Sequence, residues 1–175
     1  MKDGAPRTAY PEVMERKKAG VLRARDIDGA TRTYHQRLNP RSRFRGAGIG
    51  RLGGLERTGV SLARLAPGEE SFAYHAHLIE EEWLYVLHGR GVALIDGANV
   101  ELGPGDFVAF PAPSVPHLLR NPFGEELVYL MGGENRAVDV LDYPELGKSY
   151  VLVAGAGPTA FHEMAAPIHP FGRDD

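Results

Sequence analysis

The sequence predicts a single all-β domain, a barrel or sandwich of short strands, on three observations. From Val60 onward, apolar segments of strand length alternate with turn signals. Glycine and proline are abundant, 22 and 13 of 175 residues, and many of them fall between those segments. No stretch in that region carries an amphipathic helical period of useful length. A chain of this size buries one real hydrophobic core, and its apolar content of 43% is ordinary for a globular protein.

Taken in order, residues 1–45 read as an extended N-terminal arm. It holds a short helix over 11–19, with Pro11 at the start and Gly20 as the stop. The glycine-rich stretch Gly46–Gly54 leads into the barrel, expected over 46–135. Its strands are Val60–Ala66 before Pro67-Gly68, Glu82–Leu87 before His88 and Gly89, and Val92–Asp96 before Gly97. Val100–Leu102 precedes the turn Gly103-Pro104-Gly105-Asp106, and Phe107–Phe110 precedes Pro111. His117–Arg120 and Leu127–Met131 complete the series. Residues 136–175 are expected as a C-terminal extension packing on the barrel, with one more apolar run at Tyr150–Ala154. No internal repeat appears, so the chain forms one barrel and not two.

Alternation along a strand sends residues i and i+2 to one face. His75 and His77 therefore project together, as two imidazoles must to share a metal. Glu82 opens the next segment, where Glu82, Leu84 and Val86 share one face and Trp83, Tyr85 and Leu87 take the other. With Glu82 pointing inward, Leu84 and Val86 line the interior beside it, and Gly89 supplies the turn that follows. His117 comes two hairpins later, enough to bring the chain back across the same cavity, and it shares a face with Leu119 and Asn121. One histidine on a strand is ordinary; four ligand-type residues arranged in this way make His75, His77, Glu82 and His117 a candidate metal site. His35, His88, His162 and His169 fall outside the pattern and read as solvated or turn residues. Arg64 reads either as facing inward with Val60 and Leu62, where it would bind an anionic substrate, or as an outward residue. Leu84, Val86 and Leu119 are the other candidate substrate-lining positions.

These residues resemble the two motifs of the cupin superfamily. The first, G…HxHx(3–4)Ex(6)G, is matched by Gly68, His75, His77, Glu82 and Gly89. The second, PxG…HxxxN, is approximated by Pro104-Gly105-Asp106 with His117 and Asn121, with a longer interval before the histidine than in the strict form. The match to Gly89 selects Glu82 over Glu80 and Glu81. Residues from about 46 to 148 further resemble a group of small bacterial cupins, some of which carry sugar-phosphate isomerase names. The resemblance implies a cupin double-stranded β-helix, or jelly-roll, barrel. It also implies a homodimer, which a basic arm beside an acidic barrel would suit.

Three neutral imidazoles and a carboxylate suit one divalent metal ion, Zn, Fe, Mn or Ni among others. An octahedral ion held this way keeps two positions open for a small-molecule ligand. The expected function is a metal-dependent enzyme on a small polar or aromatic molecule, of dioxygenase or of isomerase or lyase type. The alternative is a non-catalytic small-molecule-binding or sensor cupin, because the fold hosts many chemistries. The absence of cysteine excludes disulfides and thiolate ligands. No apolar run approaches a membrane span, and the N-terminus lacks a secretory core, so a cytoplasmic protein with no membrane role is expected. Residues 1–57 hold 14 Lys/Arg against 6 Asp/Glu, and the remainder 6 against 17. The basic residues are dispersed and bring no recognition motif, so the arm is expected against an acidic barrel and not on nucleic acid.

Overall fold

The computed structural model describes residues 19–154 and 160–164. Nearly all of the short helix expected over 11–19 lies outside the described residues, as does His169. A helix α1 (Ala24–Ala30) precedes strands β1 (Arg32–Tyr34) and β2 (Phe44–Ala47), and a single turn α2 (Ile49–Leu52) leads to β3 (Thr58–Leu65). Then follow β4 (Ala76–His77), β5 (Glu82–His88), β6 (Gly91–Ile95), β7 (Ala98–Leu102), β8 (Phe107–Phe110), β9 (His117–Arg120) and β10 (Leu127–Glu134). The last described strands are β11 (Val138–Tyr143), β12 (Lys148–Val153) and β13 (Ala160–Glu163). No helix among the described residues is long and apolar enough to cross a membrane.

The strands build two walls. One is a six-stranded sheet in the order β1-β2-β3-β10-β5-β8. The other begins as β7-β6-β9 and continues as β4-β11-β12-β13. An antiparallel bridge between His75 and His117 joins its two parts, and Ser114 locks β4 by donating its N–H to the His77 carbonyl (2.7 Å). Every named strand pairing is antiparallel, as expected of a jelly roll. The core between the walls takes Ala63, Leu65, Leu84, Val86, Leu127 and Tyr129 from the large sheet and Ala93, Leu102 and Leu119 from the other. Alternation on β5 is as read from the sequence, with Leu84 and Val86 buried and Tyr85 and Leu87 exposed. The turn after β5 requires Gly89: its φ is +71°, and a Cβ there would collide with the Glu126 carbonyl.

Two sequence expectations are corrected here. The arm read as extended through residue 45 carries α1 and a strand pair, and β2 spans the 45/46 boundary. Phe44 is buried in the barrel core and stacks on Tyr34, with ring centroids 5.3 Å apart. The second correction is Arg64. The inward face of β3 belongs to Ala63 and Leu65, both fully buried, so alternation turns Arg64 away from the cavity. There its guanidinium lies 3.2 Å from Glu126. The inward reading as a substrate anchor therefore fails, and the residue is a surface ion pair.

Part of the charge asymmetry is met within the described residues. Arg41 pairs with Glu70 at 2.9 Å and Arg43 approaches Glu69 at 3.5 Å, so part of the basic segment lies on its own acidic barrel.

Candidate metal centre

The four candidate ligands meet because three separate strand registers bring them there. His75 and His117 are directly opposite one another in the antiparallel bridge, with reciprocal backbone hydrogen bonds of 3.2 and 2.8 Å. Directly opposed residues project from the same face of a sheet. His77 lies two residues on from His75, on that same face. Glu82 begins β5 on the opposite wall, paired with Phe110 of β8 and Gly133 of β10. A Cβ at position 133 would press on the Glu81 carbonyl and the Glu82 side chain, so glycine there lets β10 lie close beneath the carboxylate.

Glu82 Oε2 lies 3.2 Å from both His77 Nε2 and His117 Nε2, and His75 Nε2 lies 3.1 Å from His77 Nε2. The ligand atoms of His75, His77 and Glu82 all fall within 4.8 Å of one another; His117 joins them through Glu82. The three histidines are buried, whereas the Glu82 side chain keeps 35% of its surface exposed.

Each imidazole is held by its other nitrogen. His75 Nδ1 donates to the Ala73 carbonyl (2.8 Å), His117 Nδ1 to the Val115 carbonyl (3.0 Å), and His77 Nδ1 to the Asp139 carboxylate (2.5 Å). These acceptors require the proton on Nδ1 and leave the Nε2 lone pairs directed inward. Ring packing adds to the restraint: His117 lies flat on Phe110, with centroids 3.7 Å apart and planes 9° from parallel. The result is a cluster of lone pairs facing lone pairs and a carboxylate. A cation at the centre relieves that arrangement, so the donor set fits a divalent metal.

The electrostatics of the metal-free cluster agree. Burial pulls His75 down to about 4, overcoming the attraction of Glu82. Burial also opposes charge on His77, but hydrogen bonds and attraction from Glu82 and Asp139 prevail and raise it to about 9. Burial pushes Glu82 upward, yet the imidazoles of His117 and His77 beside its Oε2 hold it well below the usual carboxylate range. In the metal-free state a proton on His77 thus takes the place of the cation.

Sequence reading missed Asp139. It is fully buried on β11, on the same face as Leu141 and Tyr143. One oxygen accepts from His77, and the other from the backbone N–H groups of Ile79 (3.0 Å) and Glu80 (3.3 Å). Its only local signal is an acidic residue in a short, otherwise largely apolar strand that also carries Asp142. Glu80 and Asp139 form a second acidic group around the far side of His77, and Glu80 Oε1 accepts the Arg136 N–H (2.5 Å). Asn121 is structural: its amide donates to the carbonyls of Leu65 (2.9 Å) and Glu125 (2.7 Å). His35, His88 and His162 are exposed, away from the cluster.

A cavity of about 40 Å³ opens beside the cluster, bounded by His75, Glu82 and His117. Its other walls are largely apolar, with Phe72, Leu84, Phe110, Leu119 and Met131, and Tyr129 lines it from β10. Of the candidate lining residues, Leu84 and Leu119 border this space, whereas Val86 is fully buried in the core beyond it.

An antiparallel barrel with three histidines and a glutamate converging between its walls defines a class of barrel with a candidate metal site. Residues 61–133 match the Cupin_2 (cupin domain) family. A solved structure from Acidithiobacillus ferrooxidans, provisionally named a sugar phosphate isomerase, is 33% identical with a TM-score of 0.76, covering 87% of this chain and 97% of that one. A cupin-superfamily sugar phosphate isomerase from Silicibacter pomeroyi is 27% identical with a TM-score of 0.68, over 80% of this chain and 90% of that one. An uncharacterised protein of Methanocaldococcus jannaschii is 38% identical over 47 residues, 27% of this chain, and the match spans 37% of its length. The chain belongs to the cupin superfamily.

Proposed function

We propose that the protein is a metal-dependent enzyme that interconverts isomers of a small, oxygen-rich substrate of the sugar-phosphate class. The observation that carries the reading is the converging set of His75, His77, His117 and Glu82, with every histidine Nδ1 already committed to an acceptor. The names of the relatives from Acidithiobacillus ferrooxidans and Silicibacter pomeroyi support the substrate class. A bound divalent ion supplies Lewis acidity, which makes the carbon beside a carbonyl easier to deprotonate. The chain's own groups then position the substrate and move its protons. Glu82 is the one carboxylate among the residues lining the cavity, and the apolar walls exclude water. No arginine or lysine lines that cavity, so in this reading the uncharged, carbonyl end of the substrate enters and the phosphate stays at the opening.

A second reading is a non-catalytic ligand-binding cupin. It is favoured by the low basicity of Glu82, which suits a ligand to a cation better than a general base. One experiment separates the two: aldose–ketose interconversion assayed over three- to six-carbon sugar phosphates, with protein reconstituted with each of Mn, Fe, Ni and Zn and with chelated protein. The enzyme reading expects metal-dependent turnover without oxygen uptake. Saturable binding of those compounds with no turnover selects the binding reading, and oxygen uptake selects a dioxygenase. For assembly we propose a homodimer, supported by the exposed apolar side chains Tyr85, Leu87 and Phe107 on the outer face of β5 and β8; sedimentation velocity tests it.

A further inference from the structure

Tyr129 is the one described side chain whose buried polar atom has no hydrogen-bond partner. It stands on β10 opposite Ala63 of β3 and Val86 of β5, and is 1% exposed. An inward phenol ringed by Ala63, Leu65, Val86 and Leu127 could as easily have been phenylalanine. Leaving its hydroxyl unpaired costs folding stability. Burial raises its pKa, and the nearby charge of Glu82 raises it further, so the hydroxyl stays protonated and acts as a donor. The same residue lines the cavity that His75, Glu82 and His117 border, whose remaining walls offer few polar groups. Ser71, the other hydroxyl there, already accepts the Leu119 N–H (3.1 Å).

We propose that Tyr129 is a ligand-positioning residue: its hydroxyl donates a hydrogen bond to an oxygen of the small molecule bound at the His75, His77, Glu82 and His117 centre. The ligand is thereby defined as a compound with two oxygen atoms a short distance apart, such as an α-hydroxycarbonyl or α-hydroxy acid. One oxygen faces the metal centre and the other faces the phenol. The cavity of about 40 Å³ admits only the end of such a molecule, since that is room for about three waters. The proposal rests on the metal-dependent reading above, and its test keeps the two separable.

The test compares wild type with Tyr129→Phe in three measurements: Co(II) uptake by equilibrium dialysis, melting of the metal-free protein, and titration of the Co(II)-loaded protein with glycolate and with dihydroxyacetone. The expected result is equal Co(II) uptake, a melting temperature unchanged or raised, and affinity for at least one probe reduced about tenfold. A variant that melts lower or fails to fold assigns the hydroxyl a structural partner and overturns the proposal. Equal probe affinity in the two proteins, as expected if the phenol only holds a water, overturns it, as does the absence of probe binding to wild type. Failure of wild type to take up Co(II) removes the metal reading itself, and the Tyr129 proposal with it.

Discussion

The two walls of the barrel treat their polar groups in opposite ways. On the wall carrying His75, His77 and His117, every inward imidazole is tied through its second nitrogen, to Ala73, Asp139 and Val115. On the facing wall, Glu82 keeps a third of its surface exposed and the Tyr129 hydroxyl has no partner. The difference is one of completeness. Saturated outer nitrogens fix tautomer and ring angle before anything binds, which is what holding an ion requires. The unsatisfied Tyr129 hydroxyl on the opposite side costs stability until a ligand meets it. The first wall reads as preorganised for a cation, the second as open to a substrate.

The comparison breaks most visibly at His77. Replacing it with alanine removes one ligand and leaves Glu82 and Asp139 without their shared cation partner; metal affinity measured by equilibrium dialysis should fall by about a hundredfold or more. Leu84→Ala, on the facing wall, should instead reduce stability by about 2–5 kcal/mol in chemical denaturation while metal stoichiometry is retained. Asp139→Asn keeps the shape but loses the charge that orients His77. Metal affinity should drop by about 10–100-fold with the fold intact, and full affinity in that variant would show that the tie at Nδ1 is unimportant.

The pH dependence of the metal-free protein separates two histidines on the same wall. His75, at about 4 when folded against 6.5 ordinarily, contributes stability that is complete above 6.5 and lost as pH falls towards 4. His77, at about 9, contributes stability that is complete below 6.5 and lost as pH rises through 9. Thermal melting of chelated protein should therefore peak near pH 6.5 in these two contributions and decline on both sides. Added metal should stabilise more on the alkaline side, where no proton competes for the Nε2 atoms. The smallest effect is expected at Arg64→Ala, which loses a partly exposed ion pair with Glu126: less than about 1 kcal/mol in stability and no change in metal uptake.

What the sequence disclosed follows from the range of the interactions concerned. Strands β8 and β9 were read at their observed bounds, and β3, β5, β6, β7 and β10 to within a few residues, because alternation and turn residues are local properties; β11 was not read at all. The ligands were legible for the same reason: His75, His77 and Glu82 lie within one short segment, and His117 carries its own motif. Strand β2 was hidden because Phe44–Ala47 sits among arginines that face solvent, and pairing with β1 and β3 makes it a strand. Asp139 lies 62 residues from His77, with no spacing rule linking the two. Tyr129 was unreadable as a functional residue because what marks it, a buried hydroxyl without a partner, is a property of the packed barrel alone.

The most direct test of the central claim is a metal titration of chelator-stripped wild-type protein with Co(II), followed by visible absorption and by bound metal per chain. Saturation is expected at about one equivalent, with the ligand-field spectrum of nitrogen and oxygen donors and no such site in His77→Ala. Absence of saturable uptake by wild type, or uptake that His77→Ala leaves unchanged, would contradict it.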